Sequence, residues 1–175
     1  MIVNINLTED AKKEARENQD KINEKGRLLG TNNMNNERDY VGYLGEWAFN
    51  EFLKMNDFKS IIKWSREITA YGGDVGDFFF DEKVIDVKTA SKPFYKKLMM
   101  PLKQFEKKEK YYYVGVRLDG DLAEIMGFAT YEDMKNAPID DFGHNTPTKN
   151  ISFSKLKPID ELLSQQILKK WEIKQ

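Results

Sequence analysis

The segment 74–89, DVGDFFFDEKVIDVKT, constrains the fold more than any other stretch of this chain. Two short apolar runs, Phe78 to Phe80 and Val84 to Val87, flank the polar pair Asp81-Glu82, the pattern of a β-hairpin. A turn centred on that pair sets Phe80 against Lys83, Phe79 against Val84, Phe78 against Ile85 and Asp77 against Asp86. Side chains alternate along a strand, so Asp77, Asp86 and Lys88 share one face while Phe78, Phe80, Ile85 and Val87 share the other. Directly opposed residues hold their Cβ atoms ~5 Å apart, where like charges repel. A divalent cation turns that repulsion into a binding site, so the pattern predicts a metal centre.

Mg²⁺ prefers oxygen ligands and takes one or two carboxylates plus waters and substrate phosphate oxygens. Asp77 and Asp86 supply the carboxylates, and the backbone carbonyl of Val87 offers a further oxygen between them. Lys88, one side-chain period beyond Asp86, points the same way. There it would orient or deprotonate a water, or offset charge in the transition state. The chemistry expected is metal-dependent phosphodiester cleavage. An acidic residue two before a lysine recurs through this charge-rich chain, at Asp10/Lys12 and Asp133/Lys135 among others, so the spacing alone carries no weight. Asp86 and Lys88 differ because they interrupt an apolar run, and because a second aspartate precedes the partner run.

A third carboxylate comes from the segment 39–56, DYVGYLGEWAFNEFLKMN, which reads as a helix with Asp39 as N-cap. Val41, Leu44, Ala48, Phe52 and Met55 recur at helical spacing as a core stripe. Glu46 lies off that stripe, on a face shared with Gly42, Gly45, Phe49 and Leu53. Each glycine inside a helix costs about 1 kcal/mol relative to alanine. That cost is kept where another backbone or a ligand comes close, so the face of Glu46 is expected to meet a sheet edge or a phosphate backbone.

In this order (helix with Glu46, strand, Asp77 strand, Asp86-x-Lys88 strand, helix, strand) the chain resembles the PD-(D/E)XK, or restriction-endonuclease-like, nucleases. The resemblance covers roughly residues 39–129. It implies an α/β fold with an αβββαβ core, a central mixed β-sheet flanked by helices. It also implies that Asp77, Asp86 and Lys88 match the signature acidic, acidic and lysine positions, and that Glu46 matches the acidic residue often given by the first core helix. Gly76 stands where the signature has proline. Asp74 is a rival for the first aspartate, but it precedes the apolar strand by more residues and lies among glycines. Mg²⁺ or Mn²⁺ is the implied cofactor and DNA, ahead of RNA, the implied substrate. Cutting both strands of a duplex with one site per chain favours a homodimer. A non-cleaving nucleic-acid-binding module of the same fold, or a protein-interaction domain, are the alternatives.

Composition narrows the rest. Lys and Arg total 28 against 29 acidic residues, so the chain is no generic polyanion coat. Locally, Ser91 to Lys110 holds seven lysines against two glutamates, directly after the proposed catalytic strand. Lys92, Lys96 and Lys97 there, interleaved with Phe94 and Tyr95, are expected to hold a nucleic-acid backbone. Cysteine is absent, which excludes disulfides and thiolate chemistry, and His144 is the single histidine, in a turn-like stretch. There is no phosphate loop of Walker type, no apolar signal segment and no run of transmembrane length. A cytoplasmic, reducing location and no membrane contact are the expectations.

Length favours one domain over 1–175. Residues 1–7 read as extended, Thr8 as the cap of a charged helix, 60–65 as a short strand and 98–110 as a helix, with Pro101 as the place where it would break. Strands are expected at 111–118 and 123–129, joined at Asp119-Gly120-Asp121. Pro158 is placed in the first turn of a last helix with Ile159, Leu162, Leu163, Ile167 and Trp171 inward.

Overall fold

The computed structural model describes residues 2–28, 36–68, 76–107, 110–143 and 145–164. Strand β1 (Val3–Asn6) opens the chain, and Thr8 Oγ1 accepts the Ala11 amide at 3.1 Å as helix α1 (Glu9–Leu28) begins. Helix α2 (Asn36–Met55) starts three residues before Asp39. Asp39 is therefore not the N-cap; it sits inside the first turn with Glu37, where a carboxylate meets the positive end of the helix dipole. Leu44, Ala48 and Phe52 are buried as the stripe predicts, whereas Met55 is 71% exposed. The opposite side is buried too: Phe49 and Leu53 are fully covered. The cause is that α2 lies between α1, which contributes Ala11 and Ala15 to the same core, and a β-sheet.

The elements that follow are β2 (Lys63–Trp64), α3 (Ser65–Ile68), β3 (Phe78–Phe80), β4 (Lys83–Ala90), β5 (Lys97–Pro101), α4 (Leu102–Lys107), β6 (Tyr112–Asp119), β7 (Leu122–Thr130), α5 (Tyr131–Lys135), β8 (Ile139–Asp140) and β9 (Thr148–Ser152). A further helix begins at Ile159, with Pro158 just ahead of it rather than in its first turn. Ile159, Leu162 and Leu163 are buried in the core; Ile167 and Trp171 lie outside the described residues. Six strands form one sheet in the order β1-β7-β6-β4-β3-β2, in which β4 and β6 run parallel and all other neighbours antiparallel. A small antiparallel sheet, β5-β9-β8, packs beside it over its own cluster of Leu98, Met100, Phe105, Tyr113 and Phe153. The protein is thus a mixed α/β structure with a mixed sheet packed against helices.

Two expectations give way here. The segment read as a strand over 60–65 pairs only at Lys63 and Trp64, because the Phe58 carbonyl accepts the amides of both Ile61 and Ile62 and winds the chain into a turn. The segment read as a helix over 98–110 divides into β5 and the short α4. Leu98 and Met100 point inward and Lys97 and Met99 outward, a period of two that is stable only because β9 supplies a partner from far along the chain. The β6–β7 hairpin matches its prediction and carries a register shift between Gly115 and Val116. At its far side Gly127 takes φ +133°, and a Cβ there would stand 2.4 Å from the Lys157 carbonyl oxygen. That close approach lets Phe128 and Lys157 exchange two backbone hydrogen bonds of 2.9 Å, tying the last described helix to the sheet.

Candidate functional site

The β3–β4 hairpin forms in the expected register: Phe80 opposite Lys83, Phe79 opposite Val84 and Phe78 opposite Ile85, with Asp81 in the turn at φ +49°. Asp77 is where the ladder ends. Its amide donates to the Ile85 carbonyl at 3.1 Å and its own carbonyl accepts from Ser65 N at 2.8 Å. The next amide of the β4 edge, that of Val87, donates not to a main-chain carbonyl but to Asp77 Oδ2 at 2.7 Å. A side chain has replaced the strand. Beyond that point, among the described residues, no strand pairs with this edge of β4, while the other edge stays paired to β6 through Ala90. The N–H and C=O of one strand residue point to the same side. The Val87 carbonyl therefore faces the open edge, beside the Asp77 carboxylate.

Asp86 follows the same logic from the neighbouring position. It is buried, and its Oδ2 receives no aligned hydrogen bond; Lys88 Nζ stands 2.8 Å from that oxygen as an ion-pair partner. Burial, together with the charges of Glu46 and Asp86, pushes the Asp77 carboxyl well above the ordinary carboxylate range, against the opposing pull of the Val87 amide and Lys88. Burial also works to lower the Lys88 ammonium, but the Asp86 carboxylate next to it, helped by Asp77 and Glu46, outweighs burial and holds it above the usual lysine value. Lys88 is thus a committed cation. The charges of Glu46, Asp86 and Lys88 all act on Asp77, and those of Asp86, Asp77 and Glu46 on Lys88.

Glu46 is treated differently. Arg66 grips it with both edges of its guanidinium, Nε to Oε2 at 2.6 Å and Nη2 to Oε1 at 2.8 Å, and Trp64 Nε1 adds a bond to Oε2 at 2.9 Å. Arg66 is steadied in turn by Asn18 Oδ1 at 2.9 Å and by the Tyr43 ring, 5.0 Å from its centre. Sequence reading missed Trp64, Arg66 and Asn18. Trp64 ends β2 and Arg66 lies in α3, so no local spacing marked them as partners of Glu46. Gly45 serves the approach assigned to it, since a Cβ there would fall 1.9 Å from Thr89 Oγ1 on β4. Gly42 has nothing within 4 Å of the same construction.

The donor set at the open edge is all oxygen: the Asp77 and Asp86 carboxylates and the Val87 carbonyl. That set, with an Asp86 oxygen buried and lacking an aligned donor, fits a hard divalent cation bound through two carboxylates. Glu46 as arranged is spent on Arg66, and among the described residues no three acidic or histidine side chains are gathered closely enough to hold an ion. Of the three lysines placed on the nucleic acid, Lys92 and Lys96 are exposed and Lys97 is tethered, its Nζ 2.9 Å from Asn150 Oδ1 and over the Phe142 ring. A cleft of about 420 Å³ opens between α2 and the segment after β4, lined by Tyr40, Val41, Leu44, Ser91, Lys92 and Pro93 among others; neither aspartate lines it. Asp74 and His144 lie outside the described residues. No described helix is long and apolar enough to cross a membrane. Comparison with protein-family models, with curated proteins and with solved structures finds no match to this chain.

Proposed function

We propose that this chain is a metal-dependent nuclease with a restriction-endonuclease-like core, hydrolysing phosphodiester bonds in DNA. The observation that carries the reading is the juxtaposition, where β3 leaves β4, of the half-buried Asp77 and the buried Asp86, the latter compensated on Oδ2 by Lys88 alone. Folding alone gains nothing from two such charges side by side, whereas a cation and a phosphate make use of both. The element order α2, β2, β3, β4, α4, β6 supports the fold assignment, with β5 and its sheet inserted before a helix of only one and a half turns.

Asp77, Asp86 and the Val87 carbonyl would hold Mg²⁺ or Mn²⁺, which when bound polarises phosphate oxygens and lowers the pKa of water. The protein's own residues do the rest. Asp77 is fixed through Oδ2 by the Val87 amide. Lys88, held protonated, is a cation aimed at developing phosphate charge rather than a proton acceptor. Arg66 pairs with Glu46 and offsets its charge. Glu46 acts here through Arg66 and Trp64 as a positioning residue.

The second reading, a nucleic-acid-binding module of this fold that does not cleave, is favoured by one fact: Glu46 is already held by Arg66 and Trp64, leaving only Asp77 and Asp86 as carboxylate ligands. A cleavage panel separates the two. Duplex, branched and single-stranded DNA and RNA are incubated with Mg²⁺, Mn²⁺ or Ca²⁺, and calorimetry follows cation binding. The nuclease reading expects cation binding and Mg²⁺- or Mn²⁺-dependent cuts. Binding of nucleic acid without any cut under any cation selects the module.

A further inference from the structure

The segment between β4 and β5 presents two aromatic side chains to solvent from a built turn. Phe94 is 68% and Tyr95 48% exposed, with ring centroids 4.8 Å apart and planes at 65°. Adjacent aromatics in that state forgo burial that would be worth about 1.5–3 kcal/mol for a phenylalanine. They are not carried on a slack loop. The Tyr95 amide donates to the Lys92 carbonyl at 3.1 Å, closing a turn with Pro93 at its second position, the place where a fixed φ pre-forms the bend. The end of the segment is pinned as well: the Lys96 carbonyl accepts from Phe153 N at 2.9 Å, and Lys97 reaches Asn150. Lys92 and Lys96 bracket the rings and are both exposed. The turn leaves β4 after Ala90, two residues beyond Lys88, about 7 Å along the strand.

We infer that the turn 92–96 is a base-stacking element, Phe94 and Tyr95 taking unpaired bases while Lys92 and Lys96 hold the flanking phosphates. The substrate class is then nucleic acid with single-stranded or locally opened bases beside the scissile backbone, not intact duplex. Pre-formed rings flanked by cations are the two components of sequence-tolerant single-strand binding. The inference rests on the nuclease reading for its position relative to the reacting phosphate; the binding chemistry stands on the turn itself.

Three probes of one sequence test it: intact duplex, the same duplex with a short gap holding 2-aminopurine, and the single strand. Binding is measured in Ca²⁺ for the wild type, Phe94→Ala/Tyr95→Ala and Lys92→Ala/Lys96→Ala. Stacking is worth about 1–3 kcal/mol per base, so the aromatic pair variant should lose roughly 5- to 150-fold per stacked base on gapped and single-stranded probes. It should change by less than about threefold on duplex, lose the 2-aminopurine signal and keep the slope of affinity against salt. The lysine variant should weaken all three probes and flatten that slope, by ~0.7–0.9 per contact. Equal loss on duplex and gapped probes, or no loss on either, overturns the inference, as does sedimentation showing that the aromatic variant turns a dimer into a monomer. Because the rings are exposed, unchanged melting serves as the folding control. Wild-type cleavage in Mg²⁺ is scored separately. Ring-dependent binding without cleavage removes the nuclease reading and leaves the stacking element, and cleavage without ring dependence does the reverse.

Discussion

Two carboxylates in the same site are handled in opposite ways. Glu46, from helix α2, receives three hydrogen bonds, two of them from the Arg66 guanidinium. Asp86, from strand β4, is as well buried yet has an oxygen without an aligned donor, offset by one lysine. The first arrangement is what a stable fold does with a buried charge, and the second is what a fold does when the charge is reserved for something else. Burial alone does not mark a functional acid; unmet hydrogen-bonding capacity does. The proposed nuclease reading accordingly assigns the reacting side to the Asp77/Asp86 limb and the support to the Glu46/Arg66/Trp64 limb.

The most direct way to break the comparison is on activity. Under the nuclease reading, Asp86→Ala and Lys88→Ala should each lower kcat on the order of 10²–10³-fold or more; because each also breaks the Asp86–Lys88 ion pair, circular dichroism and cooperative melting should establish the fold before turnover is compared. Turnover within a few-fold of wild type in either variant would assign the limb to structure. Arg66 should answer the other way. Arg66→Gln strands a buried glutamate and should cost about 3 kcal/mol, or roughly 6–12 °C in Tm for a chain of this size. The double variant Glu46→Gln/Arg66→Gln should recover much of it, because both charges leave together. Melting curves that show no recovery would mean that Arg66 acts through Asn18 and the Tyr43 ring instead.

How much of this was legible in the sequence follows from the range of the interactions. The hairpin register was readable because turn and alternation are local, and Asp77, Asp86 and Lys88 follow from it by counting. Helix α2 was readable by period, but not its two-sided burial, since α1 enters through contacts that no spacing encodes. The helix read over 98–110 failed for the same reason: Leu98 and Met100 are strand residues only in the presence of 148–152. Arg66 went unnoticed because a lone arginine after a two-residue strand carries no local mark. The two glycines of α2 looked alike and are not.

That difference sets a third test. Gly45→Ala would thrust a methyl to within 1.9 Å of Thr89 Oγ1, so helix and strand must part or Thr89 must turn. A cost of about 1–3 kcal/mol is expected. Gly42→Ala meets nothing and should instead gain about 0.5–1 kcal/mol from helix propensity. Chemical denaturation of both variants decides it, and effects of the same sign would mean that α2 does not rest on β4 as described. Should Gly42→Ala gain stability yet lose substrate affinity, the open space over Gly42 belongs to the ligand.

The smallest effect is also the most diagnostic of the unmet charges. Burial first, and then Glu46 and Asp86, hold the folded-state pKa of Asp77 above its unfolded value. Such a group contributes its full stability below the unfolded pKa, near 4, and loses it as pH rises towards the folded value. At neutral pH without divalent cations, wild type therefore carries a penalty that Asp77→Asn escapes, since the amide oxygen can still accept the Val87 N–H. The variant should melt at a higher temperature at pH 7, with the gain shrinking as pH falls towards 4. Adding Mg²⁺ or Mn²⁺ should reverse the order, raising the Tm of wild type and leaving the variant where it was. A variant less stable than wild type at pH 7 without metal would show that the Asp77 charge is fully compensated within the fold. The contrast between the two limbs would then disappear, because both would be ordinary paired acids.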